Sequence, residues 1–126
     1  MKVIYIAHPL SAPTLEGIEA NRRRAAKWAA WAATTQGVSP VCSWITLTGE
    51  LPETPENRRL GLEIDKAQVA LCAEIWLVGG RVSKGMAIEA SVSRKVVDLT
   101  HLGEWPPGYA PEPTPETLAD TDPAPA

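Results

Sequence analysis

The stretch Glu74-Ile75-Trp76-Leu77-Val78-Gly79-Gly80-Arg81-Val82-Ser83-Lys84-Gly85-Met86-Ala87-Ile88-Glu89 decides how the chain folds. Glu74–Val78 is a short apolar run rich in β-formers, so it reads as a buried strand. Gly79-Gly80 closes it, because two glycines let the backbone turn sharply. Ser83 is a candidate N-cap, and a helix is expected from about Lys84 to Ser93. A strand feeding a helix through a tight glycine turn is one half of a parallel βαβ unit.

The flanking sequence repeats that order. Residues 2–7, with Val3, Ile4, Tyr5 and Ile6, predict a first buried strand, and His8-Pro9 and Pro13 force a loop after it. Thr14 can cap a long Ala-rich helix from Leu15 to Gln36, with Ile18, Ala25, Ala29 and Ala33 at helical spacing and Gly37 as its stop. Val38–Cys42 predicts a second strand. A loop with Gly49, Pro52 and Pro55 as breakers is expected next, then a helix from Glu56 to Cys72 with Leu60, Ile64, Ala67 and Leu71 on one face. Val96–Leu99 predicts a fourth strand. Alternating strands and helices imply right-handed crossovers and a parallel sheet covered on both faces. Ligands of such sheets bind beyond the carboxyl ends of the strands, here Ala7-His8, Ser43 and Gly79-Gly80.

The chain has 126 residues, enough for one domain with its own core. From Glu104 the composition shifts. Seven of the twelve prolines follow it, and the five acids there have no Lys or Arg beside them. Residues 104–126 therefore read as a mobile acidic tail on a domain of residues 1–103, with Trp105 and Tyr109 as anchors near its root. The net charge of -3 thus leaves the domain about +2. That is too weak for a general nucleic-acid polymer binder and suits a small anionic ligand. Five Trp and no Phe are unusual. Trp28 and Trp31 fit either internal packing or a partner-binding face. Cys42 and Cys72 lie in apolar stretches without metal-ligand spacing, so buried free thiols and a reducing, cytoplasmic location are expected. No metal, no cofactor and no membrane partner are expected.

Candidate chemistry gathers around the quoted stretch. The first turn of the helix after Ser83, with Arg81 and Lys84, is an expected anion site. Gly85 has no propensity benefit in a helix and is explained by something approaching the backbone closely. Glu89 leans back toward that mouth. A carboxylate among Met86, Ala87, Ile88 and Ala90 is costly unless paired or used; an exposed helix glutamate is the alternative. Asp65 is a poor mid-helix residue with the same two readings. The Tyr5 hydroxyl can reach the pocket or simply pack. His8 and Ser11 occupy the loop after the first strand, where binding residues concentrate. Arg22-Arg23-Arg24 reads as a solvated helix face. There is no P-loop and no Gly-x-Gly-x-x-Gly after the first strand. Two histidines, His8 and His101, offer no convincing Ser/His/Asp triad.

Ile4-Tyr5-Ile6-Ala7, Asp65, Ile75-Trp76-Leu77-Val78-Gly79 and Ser83-x-Gly85-x-x-x-Glu89 together resemble the nucleoside 2-deoxyribosyltransferase-like superfamily, which includes the deoxynucleoside 5'-monophosphate N-glycosidases. The resemblance spans roughly residues 2–100. It implies a flavodoxin-like three-layer α/β sandwich with a mostly parallel sheet of four to five strands. It also implies a homodimer or higher homo-oligomer with its site between subunits. By resemblance, Glu89 is the nucleophile that forms a covalent glycosyl-enzyme, Tyr5 orients it, Asp65 is the proton donor near the leaving base, and Ser83 binds the 5'-phosphate. Gly79, Gly80, Arg81, Gly85, His8 and Ser11 complete the expected substrate site. Gly79 to Ser83 lacks the extra acid of the transferase branch and carries Arg81 instead, which favours hydrolysis of a phosphorylated substrate. His8-Pro9-Leu10-Ser11 departs from the Gly/Ser/Arg-rich loop of the monophosphate hydrolases. The C-terminal residues that complete the neighbouring site in the family have no counterpart in the Pro-rich tail. An N-glycosidase of a nucleoside 5'-monophosphate is therefore expected. The alternatives are a nucleoside deoxyribosyltransferase, a non-catalytic nucleotide-binding sensor, and an interaction protein working through its tail or its tryptophans.

Overall fold

A computed structural model describes residues 1–109; of the expected tail, residues 104–126, the part from 110 onward lies outside the described residues. Four strands, β1 (Val3–Ala7), β2 (Ser39–Val41), β3 (Glu74–Leu77) and β4 (Val96–Asp98), form one all-parallel sheet in the order β2-β1-β3-β4. The helices are α1 (Leu15–Thr35), α2 (Trp44–Glu50), α3 (Pro55–Leu71) and α4 (Lys84–Ala90), followed by a 3-10 turn at Thr100–Leu102. Register pairs Tyr5 with Val41 on one side and with Ile75 on the other. β1 and β3 are therefore central and buried on both faces, which is why their sequences are unbroken apolar runs.

The strand period of two sorts the core into two clusters. Ile4, Ile6, Trp76 and Val78 point to one face and pack with Trp28 and Ala32 of α1. Tyr5, Ala7, Ile75 and Leu77 point to the other, against Trp44, Val69 and Met86 of α2, α3 and α4. The result is a flavodoxin-like three-layer sandwich. Chain reversal at β1, the strand from which β2 and β3 leave in opposite directions, opens a crevice at the carboxyl end of the sheet.

Several local expectations change in three dimensions. The segment read as a loop after β2 contains α2, although Trp-Ile-Thr-Leu-Thr-Gly-Glu is poor helix sequence. Tertiary contacts hold it: the Trp44 indole donates to the Ile6 carbonyl at 3.0 Å, and Arg22 donates to the Ile45 carbonyl. Arg22 is thus not a solvated residue. Pro55 does not break structure but occupies the first turn of α3, after the Thr54 N-cap, where its missing N–H costs nothing. The inward faces also differ. α1 buries Ala25, Trp28 and Ala32 while Ala33 is exposed. On α3, Leu60 and Leu71 face solvent and Val69 is buried. α4 stops at Ala90, short of the expected Ser93.

Trp28 is fully buried in the core, and the half-buried Trp31 packs edge-on to it. Glu104–Tyr109, grouped with the tail by composition, lies against α1. The Trp28 indole donates to the Glu104 carbonyl at 2.9 Å, Arg24 stacks on Trp105, and Lys27 sits over Tyr109. Among the described residues no helix is long and apolar enough to cross a membrane.

Candidate functional site

A cleft of about 520 Å³ opens at the carboxyl end of the sheet. The loops after β1 and β3 bring His8, Leu10, Ser11, Arg81 and Ser83 to one side of it. α2 and α3 supply the other side: Trp44, Leu47, Thr48, Leu51, Asn57, Arg58, Leu62 and Asp65. α4 enters with Gly85, Met86, Ile88 and Glu89.

Glu89 is 8% exposed. It shares the inward face of α4 with Met86, three residues earlier. Asp65, half-buried on the inner side of α3, stands beside it, and Tyr5 rises beneath from β1. No closed hydrogen bond locks the three together. The Tyr5 hydroxyl and Asp65 Oδ1 are buried without a partner among the described residues. Such groups are costly unless a ligand or solvent completes them.

Ionisation follows from this crowding. Burial, and then the charge of Asp65, push Glu89 up to about 7. Burial pushes Asp65 up to about 6, against the opposing pull of the Tyr5 hydroxyl. Burial and both carboxylates raise the Tyr5 hydroxyl far above its ordinary value, so it remains a donor. Two neighbouring carboxyls that disfavour joint ionisation hold one proton between them near neutrality.

The remaining expected residues divide. Ser83 caps α4: its Oγ accepts from the Met86 N–H at 3.3 Å, and its hydroxyl proton stays available to the cleft. That cap and the short length of α4 leave little free helix terminus. Selection of an anion therefore falls to Arg81 and Lys84, both exposed at the mouth. Arg58, on the opposite wall, is engaged by Glu53. Gly85 borders open space, and a side chain there would meet nothing within 4 Å, so no protein contact demands a glycine. Gly79 and Gly80 do not line the cleft. Gly79, with φ of 99°, backs the ring of His8, and Gly80 packs on Gly103 and Glu104. Arg24 stacks on Trp105 outside the cleft.

Sequence reasoning missed the wall built by α2 and the start of α3, namely Trp44, Leu47, Thr48, Asn57 and Arg58. The available signal was Thr54-Pro55-Glu56, a cap followed by a proline and an acid, which opens a helix near Pro55. Nothing comparable marked α2. Among the described residues no group of His, Cys, Asp and Glu is placed to hold a metal ion.

Fold and site together define an α/β protein of flavodoxin-like architecture with a paired-carboxyl cleft at the strand ends. A family model described as a domain of unknown function, DUF7768, matches residues 2–97, and the chain belongs to that family. No curated protein and no solved structure matches the chain.

Proposed function

We propose that this chain is an N-glycosidase that cleaves the base–sugar bond of a nucleoside 5'-monophosphate or related nucleotide, through a glycosyl-enzyme on Glu89. The observation that carries this is the meeting of Asp65 of α3 and Glu89 of α4 in the lining of one cleft, with the hydroxyl of the fully buried Tyr5 of β1 close to both. The resemblance of these positions to the nucleoside 2-deoxyribosyltransferase-like superfamily supplies the reaction class.

The chemistry follows from the shared proton. Burial raises both carboxyls, and one proton between them can rest on either. Passing it to Asp65 creates a nucleophilic carboxylate and a neutral acid in one move. The Glu89 carboxylate then forms a bond to the anomeric carbon as the C–N bond breaks. The base leaves with the bonding pair and takes the Asp65 proton. Water, deprotonated by Asp65, displaces Glu89 and yields the free sugar hydroxyl. Tyr5, always protonated, donates to whichever carboxylate is charged. Trp44, Leu47, Leu51 and Leu62 provide an apolar wall for a flat base. Arg81, Lys84 and the Ser83 hydroxyl face the phosphate. The absence of an acid between Gly79 and Ser83, with Arg81 there instead, favours a phosphorylated substrate and hydrolysis over transfer between free nucleosides.

The same proposal carries a homodimer or higher homo-oligomer, supported by Leu60 and Leu71, which α3 leaves 50% and 80% exposed. It places the protein in the cytoplasm, in keeping with free Cys42 and Cys72. A mass-spectrometric screen of nucleosides, nucleotides and NAD for released base tests it. Base release by the parent chain, and none by Glu89→Ala, is the expected result. No release from any of them removes the enzymatic proposal. Tight nucleotide binding without turnover, by calorimetry, turns it into a sensor.

A further inference from the structure

His8 is 5% exposed, yet it lines the cleft. Its Nδ1 lies 2.6 Å from the Pro9 carbonyl oxygen. A carbonyl can only accept, so Nδ1 carries the proton. The other nitrogen, Nε2, is buried with no partner among the described residues. Burial, together with the nearby charges of Arg24 and Arg81, holds the ring down to about 4. The ring is therefore neutral, and Nε2 presents a lone pair. The ring edge occupies space that residue 79 vacates: a Cβ there would lie 2.5 Å from His8 Cδ2 and 2.7 Å from Nε2. Gly79 is thus required by the position of this ring, both sterically and through its φ of 99°.

We propose that His8 Nε2 is the acceptor that reads a sugar hydroxyl of the bound nucleotide, and that it sets the enzyme's preference among sugars. The proposal rests on the nucleotide reading of the cleft above. A buried lone pair rejects a phosphate oxygen, which has no proton to give, and accepts a hydroxyl. His8 lines the same cleft as Arg81 and Ser83, the residues proposed above to meet the phosphate, and the sugar is the part of a nucleotide joined directly to that phosphate. A site built around a buried acceptor discriminates against an analogue lacking the donor, because the acceptor is then left unpaired.

Calorimetry on the full chain carrying Glu89→Gln, which prevents turnover, tests this. The probes are the four 2'-deoxynucleoside 5'-monophosphates, their ribonucleotides and their 2',3'-dideoxy counterparts. With His8 present, loss or gain of one hydroxyl changes the dissociation constant by about 10- to 100-fold. With His8→Phe added, which keeps the volume and removes the acceptor, the change falls to within about threefold. His8→Gln, whose carbonyl can accept, recovers part of the discrimination and also serves if His8→Phe does not fold. Equal discrimination with and without His8, or nucleotide binding without any discrimination among sugars, overturns this proposal alone. Absence of binding by every nucleotide overturns the nucleotide reading and this proposal with it.

Discussion

The molecule holds two buried glutamates at opposite ends of one sheet, and they behave oppositely. Glu74 begins β3 at the amino end and is 4% exposed. Its Oε1 takes the Lys2 ammonium at 2.6 Å, and Lys95 stands 3.9 Å from Oε2. The Lys2 hydrogen bond holds its carboxyl below the usual range. Burial pulls the other way, but that hydrogen bond and the two ammonium charges outweigh it. Glu89 is 8% exposed at the carboxyl end and has no cation beside it among the described residues. Its nearest charged neighbour is another acid, and its carboxyl is pushed up instead. Similar small exposure therefore says little. What separates a structural carboxylate from a chemical one is whether the fold compensates its charge.

Substituting each glutamate by glutamine should split the two roles cleanly. Glu89→Gln loses base release by about 1,000-fold or more, while Glu74→Gln stays within about threefold, measured as kcat/KM on the best substrate of the screen. Equal losses would make both residues merely structural. Next in size is the partner acid. Asp65→Asn slows release by about 100- to 10,000-fold, as expected for a lost general acid. The parent chain's rate should rise and fall around the macroscopic ionisations of the pair, near 6 and 7, and the variant should show a single ionisation. An unchanged bell would remove Asp65 from the chemistry.

Stability should move the other way. Glu89 binds its proton more tightly folded than unfolded, so its contribution is full at low pH and is lost as pH rises through about 7. Glu89→Gln should therefore be more stable than the parent by roughly 2 kcal/mol at pH 8, and the gain should vanish near pH 4 in urea titrations. The smallest effect belongs to Glu74. Its lowered carboxyl stabilises the fold above the unfolded carboxylate range, and that support is lost as pH falls through its folded value. With Lys2 and Lys95 more than half exposed, Glu74→Gln should cost only about 0.5–1 kcal/mol at pH 7, and less in high salt. A larger loss at Glu74 than the gain at Glu89 would reverse the comparison.

Much of the fold, though not this contrast, was visible in the chain itself, for a definite reason. β1 and β3 are unbroken apolar runs because both faces of a central parallel strand are buried, and Gly79-Gly80 with the Ser83 cap mark the turn into α4. Local chemistry sufficed for these. α2 was invisible because its stability comes from Trp44 reaching Ile6 and Arg22 reaching Ile45, more than twenty residues away in sequence. Missing α2 meant missing the apolar wall of the cleft. The exposed stripe of α3 was misjudged for the same reason. Leu60 and Leu71 satisfy a helical period, but Val69 and Asp65 were selected by what lies beneath them.

Residue order alone determined the alternation of strands and helices, the parallel sheet, and a carboxylate near the mouth of the helix that follows β3. Only tertiary structure decided that Asp65, Tyr5 and Glu89 meet, that Glu74 is neutralised while Glu89 is not, and that Gly79 makes room for a neutral His8. Periodicity and caps act over a few residues and are written locally. Charge compensation and burial depend on groups brought together from distant parts of the chain, and these exist only once the layers have packed.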